Sequence, residues 1–191
     1  MYRDTRKSES VSIPMKINTE LFNRKMGTLA QTFSSGNDFL DQFLKSDEAF
    51  DDGIGKTFVW INEKCTKIIG YYNIGVGYID TYDGDDKYKI GGSIHLNFFA
   101  LDSDYRGVVV ETAEDGSKTK VSDRLFADFM RKVYELRAYH IGFSFVTLAA
   151  TEEGYSLYKR NLFEDLDADL HFSLKDDEKG CRPMYLALDN E

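Results

Sequence analysis

The amphipathic stretch from Ser122 to about Tyr139, with the apolar run that follows it, constrains this chain more than any other feature. Leu125, Phe126, Phe129, Met130 and Val133 recur at helical spacing, while Arg124, Asp128, Arg131, Lys132 and Glu135 take the opposite side. That is the pattern of a helix with one face on a core. Gly142 ends it, and Phe143–Ala149 is then almost wholly apolar, which suits a strand covered on both faces. A helix that leads into such a strand calls for a sheet with helices packed across it.

The remaining elements build that sheet. Phe39, Leu40, Phe43 and Leu44 form one helical stripe behind the turn and cap residues Ser34–Asn37. Thr57–Ile61, Lys67–Thr81 and Tyr88–Leu101 read as strands, the last two joined by the hairpin signal Tyr82–Asp85. Ile90, Ile94, Leu96 and Phe98 show partial alternation in the third strand. Glu152–Arg160 reads as a helix, and His171–Leu174 and Met184–Leu188 as closing strands around a polar turn, Asp176–Arg182. The fold class is α+β with a mixed sheet, strand–helix–strand units falling late in the chain. Residues 1–12 read as a polar tail and 13–191 as one domain.

Composition removes several functions. Cys65 and Cys181 make no disulfide framework and no metal-ligand spacing, so no metal is expected. The longest apolar run, Ile68–Ile79, is broken by glycines and is too short to span a membrane. The first residues lack a signal peptide's apolar core, so the expected location is the cytoplasm. The net charge of −9 opposes broad nucleic-acid binding. Acids outnumber bases from Thr151 onward, and bases outnumber acids up to Ser35.

The connection Asp102–Val121 runs from a strand end to a helix N-terminus. Free backbone N–H groups and the helix dipole make such a place an anion site. Arg106, Lys118, Lys120 and Arg124 gather there, and Asp115-Gly116 marks a turn. The same connection also reads as a plain surface loop.

Four motifs, in order, resemble the GNAT superfamily of N-acetyltransferases, in the branch that includes acetyltransferase toxins of toxin–antitoxin modules. Phe33–Lys45 (FSSGNDFLDQFLK) is similar to that branch's F-x-C/S-G-N-x-x-L-D-x-F-L opening. Gly55–Val59 and Ile68–Tyr72 resemble its next two strands. Phe98–Asp102 followed by Tyr105-Arg106-Gly107 resembles its L-A-V-D…Y-Q-G strand, and Leu157–Phe163 its F-Y-E-x-x-G-F closing motif.

The resemblance implies a GNAT-like, mainly antiparallel twisted sheet with helices on both faces. Its central parallel strand pair splays around a cleft for acetyl-CoA, the acetyl donor. Phe99, Ala100 and Leu101 would meet the pantetheine and the acetyl carbonyl, with a backbone N–H near Leu101 as the oxyanion donor. Tyr158 would protonate the departing thiolate. Arg106, Lys118, Thr119, Lys120, Val121 and Ser122 would hold the diphosphate, and Thr151 stands where an asparagine is usual. His95 is the titratable candidate for general base, with Asn97 on the same strand and Glu152 and Glu153 opening the last helix.

The chain departs from the pattern in two places. Both glycines of the Q/R-x-x-G-x-G/A loop are absent, with Ser117, Lys120 and Ser122 at the key positions and about ten residues inserted before them. Leu162 replaces the closing motif's glycine. The first functional reading is therefore an N-acetyltransferase acting on a primary amine by direct attack. The alternatives are a non-catalytic GNAT-like binding or regulatory module, and a toxin that acetylates aminoacyl-tRNA under an antitoxin partner. The acceptor and the choice between monomer and homodimer stay open.

Overall fold

The computed structural model describes residues 17, 19–172 and 180–188. The polar tail 1–12 and part of the Asp176–Arg182 turn lie outside these. The order is β1 (Thr19–Leu21), α1 (Gly27–Gln31), α2 (Asp38–Lys45), β2 (Lys56–Ile61), β3 (Ile68–Asp83) and β4 (Asp86–Leu101). It continues with β5 (Val109–Thr112), β6 (Lys118–Lys120), α3 (Val121–Tyr139), β7 (Phe145–Ala150) and α4 (Glu152–Arg160). β8 (Glu164–Asp165), β9 (Leu170–His171) and β10 (Arg182–Ala187) close it.

One sheet runs β1-β2-β3-β4-β7-β10-β8, with β9 beside β3. Its pairs are antiparallel except for β4 and β7, which are parallel. β7 sits inside the sheet between β4 and β10, and Val146, Thr147, Leu148 and Ala150 are buried, as its apolar run requires. Adjacent residues of β3 join different cores. Tyr72 packs with Leu125, Phe126 and Phe129 of α3, and Tyr71 with Phe43 and Leu44 of α2. The sheet thus separates two helical layers.

The amphipathic stripe of α3 is its buried face: Leu125, Phe126, Phe129 and Val133 are at most 1% exposed. Replacing a phenylalanine so placed by alanine costs about 3–5 kcal/mol. Asp128 is buried on the same helix and accepts from Thr19 Oγ1 at 2.5 Å and Tyr72 Oη at 2.7 Å, with Arg131 at 2.6 Å. Burial opposes its charge, but these donors outweigh burial and hold its carboxyl below the ordinary aspartate value. This network ties the edge strand β1 to α3.

The partial alternation of β4 has a structural cause. Leu96 pairs with Ile74, and Phe98 with Asn73, so Asn97 is an extra residue facing no partner. This β-bulge reverses the faces. Ile94 and Leu96 belong to the α3 core, whereas Phe98 and Ala100 belong to the α2 core and Phe99 and Leu101 turn back toward α3. Asn97 Nδ2 pins the bulge by donating to Ile54 C=O at 3.0 Å and Asn73 Oδ1 at 2.7 Å. Gly75 leaves room for it, since a Cβ there would lie 2.6 Å from Asn97 Nδ2.

The inserted segment before α3 is a two-stranded hairpin, β5–β6, turning at Asp115-Gly116. Besides the two strands of this hairpin, three short elements escape a reading from periodicity: β1, α1 and β8. No helix among the described residues is long and apolar enough to cross a membrane.

Candidate active site

The bulge is where the sheet opens. Parallel pairing between β4 and β7 runs from Ser93↔Phe145 to Leu96↔Leu148 and stops. β4 continues to Leu101 against β3 alone. The cleft left between the two strands has a volume near 350 Å³ and is lined by Leu96–Leu101, Ala149, Thr151 and the α4 residues Gly154, Leu157 and Tyr158. Asp102 N–H donates to Ile69 C=O at 2.9 Å. Counting back along the antiparallel ladder, Ala100 and Phe98 direct their backbone groups to β3, and Phe99 and Leu101 direct theirs to the open side. Among the described residues the cleft therefore carries unspent strand N–H and C=O groups at Phe99 and Leu101, while those of Ala100 are committed to the sheet.

Tyr158 stands over this edge. Its ring packs on Phe126 at 5.7 Å and Phe163 at 6.0 Å, and its hydroxyl has no hydrogen-bond partner among the described residues. Burial, with a smaller contribution from Cys181, pushes its pKa well above the ordinary tyrosine value, so the phenol stays protonated at neutral pH. Gly154 admits the ring, because a Cβ there would lie 3.1 Å from Tyr158 Cε2. Thr151 lines the cleft and caps α4, its Oγ1 accepting from Gly154 N–H at 3.2 Å.

The other end of the cleft lies at the start of α3. Arg106, Lys120 and Ser122 line it, with Arg160 from α4 and Glu153. The helix N-terminus is partly spent. Val121 N–H donates to Val108 C=O at 3.0 Å, and Lys120 N–H to Asp123 Oδ2 at 2.8 Å. Ser122 and Asp123 keep N–H groups that the helix itself does not use. Arg124 is ion-paired with Glu111 of the hairpin, and Arg160 with Asp123. Arg106 lies 3.7 Å from Glu153.

Of the candidates named from sequence, the cleft brings together Tyr158, Phe99, Ala100, Leu101, Arg106, Lys120, Ser122 and Thr151. It does not include Lys118, Thr119 or Val121, which sit on β6 and at the first turn of α3. Nor does it include His95, which is buried at 8% exposure with Nδ1 2.9 Å from Thr147 Oγ1 and its ring against Phe172. Among the described residues no group of three or more His, Cys, Asp or Glu side chains could hold a metal ion.

No protein-family model matches the chain, and no curated protein sequence does. Solved structures match over nearly its whole length. AtaTR bound with AcCoA is 17% identical over 90% of this chain and 93% of the other, with a TM-score of 0.66. A mutant AtaT toxin bound to the C-terminus of the antitoxin AtaR is 16% identical over 90% and 92%, at 0.62. AtaT complexed with acetyl-methionyl-tRNAfMet is 16% identical over 86% and 98%, at 0.60. The chain has the GNAT fold.

Within that fold the motif residues now have physical reasons. In the opening motif, Ser35 N–H and Oγ donate to the buried Asp41 carboxylate at 2.7 and 2.6 Å. Asn37 caps α2 by accepting from Phe39 and Leu40 N–H. These residues shape the turn that brings Ser35, Asn37 and Leu40 to the cleft wall. In the strand motif, buried Asp102 accepts from Ser34 N–H and pairs with Lys67 at 2.8 Å, fixing the end of β4. In the closing motif, Leu162 holds φ at +67°, the left-handed region that favours glycine. Sequence reasoning passed over Gly154 and Arg160, which line the cleft; both lie on α4, near Tyr158 and Thr151, which the sequence does single out.

Proposed function

We propose that this protein is an N-acetyltransferase that moves acetyl from acetyl-CoA to a primary amine by direct attack. The splayed cleft carries the reading, with the open backbone edge of Phe99 and Leu101 facing it and the Tyr158 hydroxyl, unpartnered among the described residues, on its wall. Bound acetyl-CoA would supply an acetyl thioester there. The N–H of Leu101 or Phe99 donates to the carbonyl oxygen as negative charge grows on it. The cleft walls hold amine and carbonyl carbon in contact. As the new C–N bond forms and the C–S bond breaks, Tyr158 passes its proton to the sulfur and recovers one from solvent, which also receives the proton that the amine nitrogen sheds. Water relays, rather than the enclosed His95, take the proton from the attacking amine.

The finer reading is a toxin whose acceptor is the amino group of aminoacyl-tRNA and whose partner is an antitoxin. The AtaT complexes with acetyl-methionyl-tRNAfMet and with AtaR support it. With a net charge of −9, contact with tRNA falls to a local basic face. A non-catalytic binding module is favoured by one observation, the Val121 and Lys120 N–H groups already spent at the start of α3.

Calorimetry with acetyl-CoA, followed by transfer assays on primary amines including methionyl-tRNA, separates these readings. Binding with turnover is expected. No heat at millimolar acetyl-CoA would defeat the enzyme reading, and binding without transfer to any amine would favour the module. Expression that leaves host growth unchanged would count against the toxin.

A further inference from the structure

We propose that Arg160 grips the diphosphate of the acetyl donor, and that Asp123 holds it in waiting as a displaceable partner. This inference rests on the acetyl-CoA reading above. A helix N-terminus that binds phosphate usually does so through several free backbone N–H groups. Here Val121 N–H is spent on Val108 C=O and Lys120 N–H on Asp123. The backbone retains two donors, at Ser122 and Asp123, too few to balance a diphosphate. The remaining charge has to come from side chains.

Arg160 is placed for that work. It lines the cleft, and its guanidinium is ion-paired with the Asp123 carboxylate at the first turn of α3. An anion approaching the Ser122 and Asp123 N–H groups meets it directly. A guanidinium matches phosphate oxygens with a planar fork of donors. The Arg160 side chain is 46% exposed and that of Asp123 24%, and ion pairs this open to water contribute little by themselves. A phosphate therefore displaces the carboxylate at small cost.

The exchange also links the two ends of the cleft. Arg160 and Tyr158 lie on the same short helix, α4, so a diphosphate held by Arg160 fixes the element that carries the proton donor. Asp123 sets the threshold: its charge both retains Arg160 and repels the incoming anion. Its second role, accepting the Lys120 N–H, survives in asparagine.

The test is calorimetry on the full chain with two probes, coenzyme A and pantetheine, which lacks the diphosphate. Arg160→Ala weakens coenzyme A binding about 10-fold or more and leaves pantetheine unchanged, which also shows that the cleft is folded. Arg160→Lys recovers part of the loss. Asp123→Asn tightens coenzyme A about threefold without effect on pantetheine. Coenzyme A binding that is equal in Arg160→Ala and wild type would overturn the latch and leave the acetyl-CoA reading standing. Loss of both probes in Arg160→Ala, with Arg160→Lys like wild type, would assign Arg160 to holding α4 and overturn it as well. A wild-type protein that binds neither probe would remove both proposals.

Discussion

The two ends of the cleft are made by different means. At the Tyr158 end the working groups are backbone atoms of β4 and one buried phenol. They are set by a bulge at Asn97, a close approach at Gly154 and aromatic packing on Phe126 and Phe163. At the α3 end the working groups are the long side chains of Arg106, Lys120 and Arg160, two of them facing carboxylates across the cleft mouth. The first end is shielded from water, with Tyr158 8% exposed, so a single polar group there acts in low dielectric. The second is open to water, so its charges are individually weak and act together. The proposed function assigns chemistry to the first end and affinity to the second.

Kinetics can break that division. Tyr158→Phe lowers kcat by about 10²–10⁴-fold and leaves acetyl-CoA affinity unchanged. Because burial raises the Tyr158 pKa, the wild-type alkaline limb does not fall at the ordinary tyrosine value. Unchanged turnover in the variant would remove Tyr158 from the reaction, and a wild-type limb near pH 10 that the variant lacks would show that burial leaves its pKa at the ordinary tyrosine value. Lys120→Ala raises the KM for acetyl-CoA about 3-fold to 10-fold with kcat preserved, whereas Lys118→Ala, outside the cleft lining, changes neither. Equal effects of the two lysines would mean that only net charge matters at the α3 end.

The smallest effect sharpens the comparison from outside both ends. Leu162 is 78% exposed and held at φ +67°, so its side chain gives little back for the backbone strain. Leu162→Gly stabilises the fold by about 1 kcal/mol and shifts the thermal midpoint upward by a few degrees, with kinetics unchanged. A lower midpoint would show that the exposed leucine contributes packing after all.

The same division explains what could be read from the sequence. Helical periodicity exposed α3, and the apolar run exposed β7, because both follow from burial alone. The GNAT-like motifs around Phe98–Asp102 and Tyr158 sit at the end built from backbone and buried rings, where each motif is a run of adjacent residues even though a ring that Tyr158 packs on, Phe126, comes from another helix. The bulge left a trace, the broken alternation of Ile94, Leu96 and Phe98, whose meaning depended on the Ile74 and Asn73 pairing from another strand. At the α3 end the partners are distant in sequence: Arg160 with Asp123, Arg124 with Glu111, Val121 with Val108. No local pattern announces such pairs. Lys118 and Thr119 looked equivalent to Lys120, which alone of the three β6 residues lines the cleft. His95 looked reactive until Thr147 and Phe172 enclosed it.

The central claim is that a thioester lies between the backbone edge of β4 and Tyr158. A crystal structure of the protein with coenzyme A tests it directly. The account predicts the sulfur within hydrogen-bond reach of Tyr158 Oη, pantetheine amides bonded along Phe99 and Leu101, and the diphosphate at Arg160 and the first turn of α3. Coenzyme A bound elsewhere, or a β4 edge closed against β7 with the ligand excluded, would contradict it.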